Sequence, residues 1–167
     1  FDELYEHAHG HAEMIPWARL SASPYLLEWL EREQIDGQGK SAVVVGCGLG
    51  DDAESLADYG FDVTAFDISP HAIEWCQGRF PNSRVNYIVA DLFNPPEDWE
   101  HGFDLVFESF TIQALPQVLR EQACVSVADL VGDRGILLLL CFGREHAEPT
   151  PHIPFPISRE ELATMRE

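Results

Sequence analysis

The sequence predicts an α/β domain: a doubly wound, mostly parallel sheet held between two layers of helices, a three-layer αβα arrangement. Three observations carry this. From residue 41 onward, short apolar runs alternate strictly with helix-like segments, and parallel neighbours need such crossovers. The segment Val43-Val44-Val45-Gly46-Cys47-Gly48-Leu49-Gly50-Asp51-Asp52 reads as a buried strand, a glycine turn and a helix start in direct succession. Residues 135–143 form a continuous apolar run of the kind found in central strands covered on both faces.

The elements follow in order. Residues 1–40 are expected to be an N-terminal helical extension that folds over the site as a lid, and residues 41–167 the sheet domain. The extension carries one clear helix, 23–32: Ser23 is its expected cap, Pro24 suits the first turn, and Leu26, Leu27 and Leu30 share a face. The first strand is expected over 42–46. The next helix begins with Asp51 and Glu54 in capping-box spacing, buries Ala53, Leu56 and Ala57, and stops at Gly60. A second strand over 61–67 ends in Asp67-Ile68-Ser69-Pro70, where Ser69 caps a helix over 70–80 that opens on Pro70. Strand three is expected over 85–91, strand four over 103–108, a helix over 116–131 closed by Gly132, and strand five over 135–143. After a proline-rich stretch, Ser158-x-x-Glu161 opens a last helix. A fifth strand left as a bare edge would invite aggregation, so further C-terminal strands are expected to be missing from this sequence or to come from a partner.

Composition narrows the function. The net charge is −19, with 29 acids against 10 basic residues, and Lys40 is the single lysine. Such a surface repels phosphate backbones, so nucleic acid and anionic membranes are poor partners. Without a G-K-[ST] motif, phosphoryl transfer is also disfavoured. The four cysteines are widely spaced with no C-x-x-C, which suits a reducing compartment, and no apolar run is long enough to span a bilayer; a cytoplasmic location is expected.

The glycine turn carries the chemistry. G-x-G-x-G at Gly46, Gly48 and Gly50 lets the backbone turn sharply at a strand end and lets a ligand approach where a Cβ would stand. A dinucleotide site would continue to a third glycine and a bare helix N-terminus for a pyrophosphate; here Asp51 and Asp52 stand instead. Two carboxylates there repel phosphate and favour an adenosine-type cofactor with a positive centre. Asp67, 17 residues after Gly50, is close to the spacing of about 20 expected for an acid that accepts from ribose hydroxyls.

With these pieces in place, the chain resembles the class I S-adenosylmethionine-dependent methyltransferases, whose fold is Rossmann-like. The matching segments are the glycine turn, Ala65-Phe66-Asp67-Ile68-Ser69, Ala90-Asp91-Leu92-Phe93, Phe103-Asp104-Leu105-Val106-Phe107-Glu108 and Gly132-Asp133-Arg134-Gly135-Ile136-Leu137. Ile15-Pro16-Trp17, Ala114-Leu115-Pro116 with Arg120, and Pro154-Phe155-Pro156-Ile157-Ser158 are similar to the small-molecule branch that includes thiopurine and halide methyltransferases. The resemblance implies S-adenosylmethionine as cofactor, S-adenosylhomocysteine as product, and a small-molecule methyl acceptor as partner. It implies that Gly46, Cys47, Gly48 and Gly50 face the methionine part and Asp67 with Ile68 the ribose. It puts Asp91 on the adenine amino group, Leu92 and Phe93 along the ring, and Trp17 and Glu108 beside the cofactor. It also implies a seven-stranded sheet, whose last antiparallel pair lies beyond the end of this sequence.

Methyl transfer by in-line displacement needs donor and acceptor aligned and water excluded. Glu108 is the candidate catalytic base, with a helix-capping or solvated carboxylate as its bland counterpart. Ser109, Thr111, Gln113 and Arg19 are candidate acceptor contacts. Cys47 reads as a small turn residue rather than a nucleophile, and Trp75 as packing rather than a stacking partner of adenine. His7, His9 and His11 alternate, but on a helix only His7 and His11 share a face, so a solvated terminal segment is expected and no metal. Two competing functions remain: a non-catalytic cofactor-binding or scaffolding subunit that needs a partner, and a NAD-dependent oxidoreductase. A homo-oligomer is compatible with all of these.

Overall fold

A computed structural model describes residues 2–8, 10–145, 154–163 and 165. The five-stranded sheet comprises β1 (Ser41–Val45), β2 (Asp62–Asp67), β3 (Asn86–Val89), β4 (Phe103–Ser109) and β5 (Val131–Leu140). Their order is β3-β2-β1-β4-β5, every pairing parallel. The helices are α1 (Asp2–Ala8), α2 (Pro24–Arg32), α3 (Asp51–Asp58), α4 (Pro70–Arg79), α5 (Gln117–Asp129) and α6 (Arg159–Ala163).

The period-2 alternation of β1 divides the core. Ala42 and Val44 point to one face, where Leu26 and Leu30 of α2, Ala53 and Leu56 of α3, and Ile73 and Cys76 of α4 pack. Val43 and Val45 point to the other, against Ala123, Cys124 and Val127 of α5 and the ring of Trp99. Two apolar clusters on opposite sides of one sheet are the three layers that the strand and helix alternation predicts. The chain runs outward from β1 to β3 and then returns to β4 on the other side. β1 and β4 therefore flank the switch point, where the carboxyl ends of the strands open a crevice.

Several boundaries differ from the sequence expectation, each for a local reason. Ser23 does not cap α2: its hydroxyl is buried without a hydrogen-bond partner, while its backbone N–H donates to Asp52 at 2.6 Å. The predicted Asp51/Glu54 capping box is absent as well. Asp51 faces Arg79, with two bonds of 2.8 Å, and Glu54 accepts from the Tyr87 hydroxyl at 2.7 Å, so tertiary partners take both carboxylates. Ser69 does cap α4, accepting from Ala72 N at 3.0 Å. The box at the start of α6 also forms, with Ser158 N donating to Glu161 at 2.8 Å and Glu161 N to Ser158 Oγ at 3.2 Å.

The helix expected to Val131 ends at Asp129, and β5 begins at Val131 rather than Gly135. Val131 already pairs with Phe103, and the ladder resumes at Leu105 with Ile136, so residues 132–135 bulge out. Arg134 takes φ +63° within that bulge. Among the described residues β5 is the sheet edge rather than a central strand, and Ile136 on it is exposed. An apolar run reports cover above and below a strand, not a neighbour alongside it. The chain then adds a two-residue parallel pair, β6 (Gly143–Arg144) with β7 (Ile157–Ser158).

The described residues among 2–14 are the largest departure. The expected solvated segment is instead α1 and a 3-10 turn over Ala12–Met14, docked on α4. Tyr5, Ala8 and Ile15 bury themselves with Leu49 and Ala72 in a third small core. Trp75 packs edge-on against Tyr5, with ring centroids 6.3 Å apart, which is the packing role expected of it. His7 holds the carbonyl of Glu3 and His11 the carboxylate of Glu13; His9 lies outside the described residues. No helix among the described residues is long and apolar enough to cross a membrane.

Candidate active site

Every strand of the sheet ends at one cavity of about 600 Å³, a volume suited to a small molecule or cofactor. The turn after β1 gives it Gly46 to Gly50, the end of β2 gives Asp67 and Ile68, and β3 leads to Asp91, Leu92 and Phe93. The segment after β4 adds Ser109, Phe110 and Thr111, and Phe142 follows β5. Tyr5, Trp17, Arg19, Ser21 and Ser23 complete the wall from the N-terminal segment.

Local backbone demands explain the turn. Gly46 has φ +61°, and a Cβ there would collide with the Thr111 side chain, whose hydroxyl donates to Val45 O at 3.2 Å. Gly50, the N-cap of α3, has φ +87° and would press a Cβ to 2.6 Å from the Tyr87 hydroxyl. Only glycine fits both backbone and neighbours at these two places.

Asp67 sits against that turn, 9% exposed. Its carboxylate accepts from Gly48 N at 3.1 Å and Ser69 N at 3.0 Å. Each carboxylate oxygen has a second lone pair, so both still have capacity toward the cavity. Burial pushes this carboxyl above its ordinary value, while the N–H groups of Ser69 and Gly48 pull it back. Asp91 is exposed and accepts from Phe93 N at 2.9 Å, which sets the turn carrying Leu92 and Phe93.

Cys47 lies in the wall as expected, and its thiol is held well above its usual value by the Cys76 thiol, burial and the Asp67 charge. A thiol so raised is a poor nucleophile, in keeping with a turn residue.

Tyr5 is one of the cavity residues that sequence reasoning missed, as are Phe110 and Phe142. Tyr5 is 4% exposed, accepts from Trp17 Nε1 at 2.9 Å, and stands over Gly48. Burial and the charge of Asp67 raise its hydroxyl, keeping it protonated. The one available signal was the spacing of Tyr5, Ala8, Ala12 and Ile15 at three- and four-residue steps, a helical apolar face. Trp17, 41% exposed, leans edge-on against Tyr5 with centroids 5.9 Å apart.

Two predicted site residues fall outside the cavity wall. Glu108 is 0% exposed, its Oε1 accepting from Thr111 N at 2.5 Å and Ile112 N at 3.0 Å. It holds the turn at the end of β4, so it is neither in contact with the cavity nor placed to act there as a base. Gln113 is also 0% exposed, its Oε1 accepting from Phe142 N at 2.7 Å. Glu108 lies behind Ser109 because successive residues of a strand point to opposite sides, whereas Gln113 lies in a 3-10 turn over Ile112–Ala114 that turns its side chain inward to Phe142 N.

A glycine turn with a carboxylate one strand over, at the switch point of a parallel sheet, defines a Rossmann-like protein that binds a nucleoside cofactor. The chain belongs to the methyltransferase domain family, which matches residues 42–135, and S-adenosylmethionine is the cofactor that goes with it. A thiopurine S-methyltransferase of Stutzerimonas stutzeri (strain A1501) is 28% identical over 134 residues, covering 71% of this chain and 57% of that protein. A solved structure described for conversion of a disulfide bond into a thioacetal group during echinomycin biosynthesis superposes with a TM-score of 0.72 at 25% identity. That match covers 86% of this chain and 59% of the other. The fold is shared with a TehB-like SAM-dependent methyltransferase from Corynebacterium glutamicum ATCC 13032, TM-score 0.70 and 21% identity, over 96% of this chain and 82% of that one. The chain thus spans under two thirds of the length of the first two relatives.

Proposed function

We propose that this protein transfers a methyl group from S-adenosylmethionine to a small-molecule acceptor by in-line displacement. The observation that carries the reading is Asp67, buried against the glycine turn with acceptor capacity turned to the cavity. The arrangement suits an uncharged ribose: a carboxylate accepts from hydroxyls and repels phosphate. Each such bond contributes about 1.5–3 kcal/mol. Asp91 takes the adenine amino group, with Ile68, Leu92 and Phe93 along the nucleoside. The turn from Gly46 to Gly50, with Cys47 in it, leaves room for the methionine part. The segment 1–40 serves as the cover, with Tyr5 over Gly48 and Trp17 bonded to the Tyr5 hydroxyl, and excludes water.

S-adenosylmethionine supplies a methyl group already activated by its sulfonium. The protein's task is therefore alignment and dryness rather than electrophile generation. Ser109, Thr111 and the rings of Phe110 and Phe142, 5.1 Å apart, form the acceptor side, with Arg19 on the wall nearer the cover. Ser109, Thr111, Phe110 and Phe142 offer hydroxyls and aromatic faces, and Asp52, the carboxylate near Arg19, is engaged by Ser23 N at 2.6 Å. This side favours acceptors that arrive as nucleophiles, such as thiolates, over alcohols or amines that must lose a proton.

Titration calorimetry with S-adenosylhomocysteine tests the cofactor assignment; saturable 1:1 binding is expected, and no heat at millimolar ligand overturns it. Radiolabelled methyl transfer across thiols, halides, phenols and amines then tests the acceptor class, with thiols turned over first.

A further inference from the structure

Resting on the proposed methyl transfer, we infer that Glu108 is a positioning residue for the acceptor: its buried carboxylate fixes the acceptor-side wall through backbone N–H groups without touching either reactant. The segment 109–115 joins β4 to α5, and Ser109, Phe110, Thr111, Ala114 and Leu115 from it face the cavity. A loop so exposed to the cavity needs a fixed anchor behind it. Glu108 supplies one, since a single carboxylate oxygen gathers Thr111 N at 2.5 Å and Ile112 N at 3.0 Å. When ionised, Glu108 makes charge-assisted bonds, about twice as strong as neutral ones, and when protonated its carbonyl oxygen still accepts.

The anchor has consequences on both sides. Toward the cofactor turn, Thr111 is held so that its hydroxyl reaches Val45 O at 3.2 Å, with its side chain against the Cα of Gly46. Toward the acceptor, Phe110 is held at φ +62°, an unfavourable backbone for a bulky residue, with its ring against Phe142. Gln113 continues the tie: its side chain accepts from Phe142 N at 2.7 Å and its carbonyl from Phe155 N at 2.9 Å. The loop conformation that presents Phe110 is therefore set from within by two buried polar side chains.

Placing a charged group in this interior is costly, and an apolar residue would pack there without that cost. The second carboxylate oxygen, Oε2, is buried and makes no hydrogen bond. A carboxylate kept here at such cost is explained by the two backbone groups it holds. Cys141, just past the end of β5, feels the same charge: its thiol is raised by burial, by Glu108 and by Cys124 of α5.

The experiment compares the parent with Glu108→Ala and Glu108→Gln in three measurements: amide hydrogen exchange, S-adenosylhomocysteine affinity, and steady-state methylation of thiophenol as the acceptor probe. For Glu108→Ala the expected result is about tenfold or greater acceleration of exchange at Thr111 and Ile112. Cofactor-product affinity should stay within about twofold, and the KM for thiophenol should rise about tenfold with kcat changed less than threefold. Glu108→Gln, whose amide oxygen still accepts, should recover most of the exchange protection and KM. If the alanine variant does not fold, the glutamine variant still reads out, with a severalfold acceleration expected at the same two amides and nowhere else.

Unchanged exchange at those amides in both variants would overturn the inference. So would a loss confined to kcat, which would make Glu108 a catalytic group, or an equal loss of cofactor-product affinity, which would make it a cofactor ligand. Failure of the parent to bind S-adenosylhomocysteine would instead sink the methyl-transfer reading, while the exchange arm would still decide whether Glu108 fixes the loop.

Discussion

Two buried carboxylates, Asp67 and Glu108, stand at the ends of the two strands that flank β1 and do different work. Asp67 has free acceptor capacity on the cavity side; Asp67→Ala is expected to weaken S-adenosylhomocysteine binding by about ten- to a hundredfold by calorimetry, with the circular dichroism spectrum unchanged. Glu108 has no cavity face, and burial raises its carboxyl to about 7. For an acid whose folded value is raised, the folded state holds its proton over a wider range than the unfolded chain does. Stability from this group is thus full below about 4.5 and is lost as pH rises toward and through about 7. Thermal denaturation across pH 5 to 8 should show Tm of the parent falling more steeply than that of Glu108→Gln, and parallel curves would refute the assignment. The reading of Asp67 needed only the spacing from Gly50. Glu108 could not be placed from sequence, since nothing in Phe107-Glu108-Ser109 says which of the three the strand end turns inward.

At the scale of elements, α1 is the piece whose role depends on a tether. Asp2 accepts from Ser69 Oγ at 2.5 Å and bonds His71 Nδ1 at 2.9 Å, pinning the start of α1 to the first turn of α4. Bonds to Ser69 and His71 lower the Asp2 carboxyl, and its bond to Asp2 raises the His71 imidazole. The charged pair therefore exists from below the usual carboxylate range to above the usual imidazole range, and is lost as pH rises past the raised value of His71. Hydrogen exchange of the Tyr5 amide, corrected for its intrinsic pH dependence, should accelerate through that upper limit. Asp2→Asn should remove the pH step, and a step that survives it would assign the tether elsewhere. Both groups are exposed, so the effect belongs to the local opening of α1 and not to global stability.

The molecule as a whole carries its charge of −19 over a single domain-sized chain. Self-repulsion of that size opposes the compact state and is screened by salt, so Tm should climb as sodium chloride is raised from about 0.02 to 0.3 M. A flat or falling curve would show that the acids are already neutralised by local pairing. The site carries the same sign: Asp51, Asp52, Asp67 and Asp91 line the cavity, which favours a cofactor with a positive sulfonium and no phosphate. The fold places these charges at one end of the sheet because all five strands are parallel and share a carboxyl end.

By itself the sequence determined the strand and helix alternation, the glycine turn and the acid that follows it, since these depend on local periodicity and on backbone freedom at single positions. The cap at Ser69 and the box at Ser158 and Glu161 were equally legible, because cap and partner lie three residues apart. Tertiary structure alone decided the fates of Ser23, Asp51 and Glu54, whose partners come from distant segments and outcompete the local ones. It alone placed Tyr5 over Gly48 and Glu108 behind Thr111, because which side of a wall a residue takes is fixed by packing between elements far apart in the chain, and no short-range pattern records that.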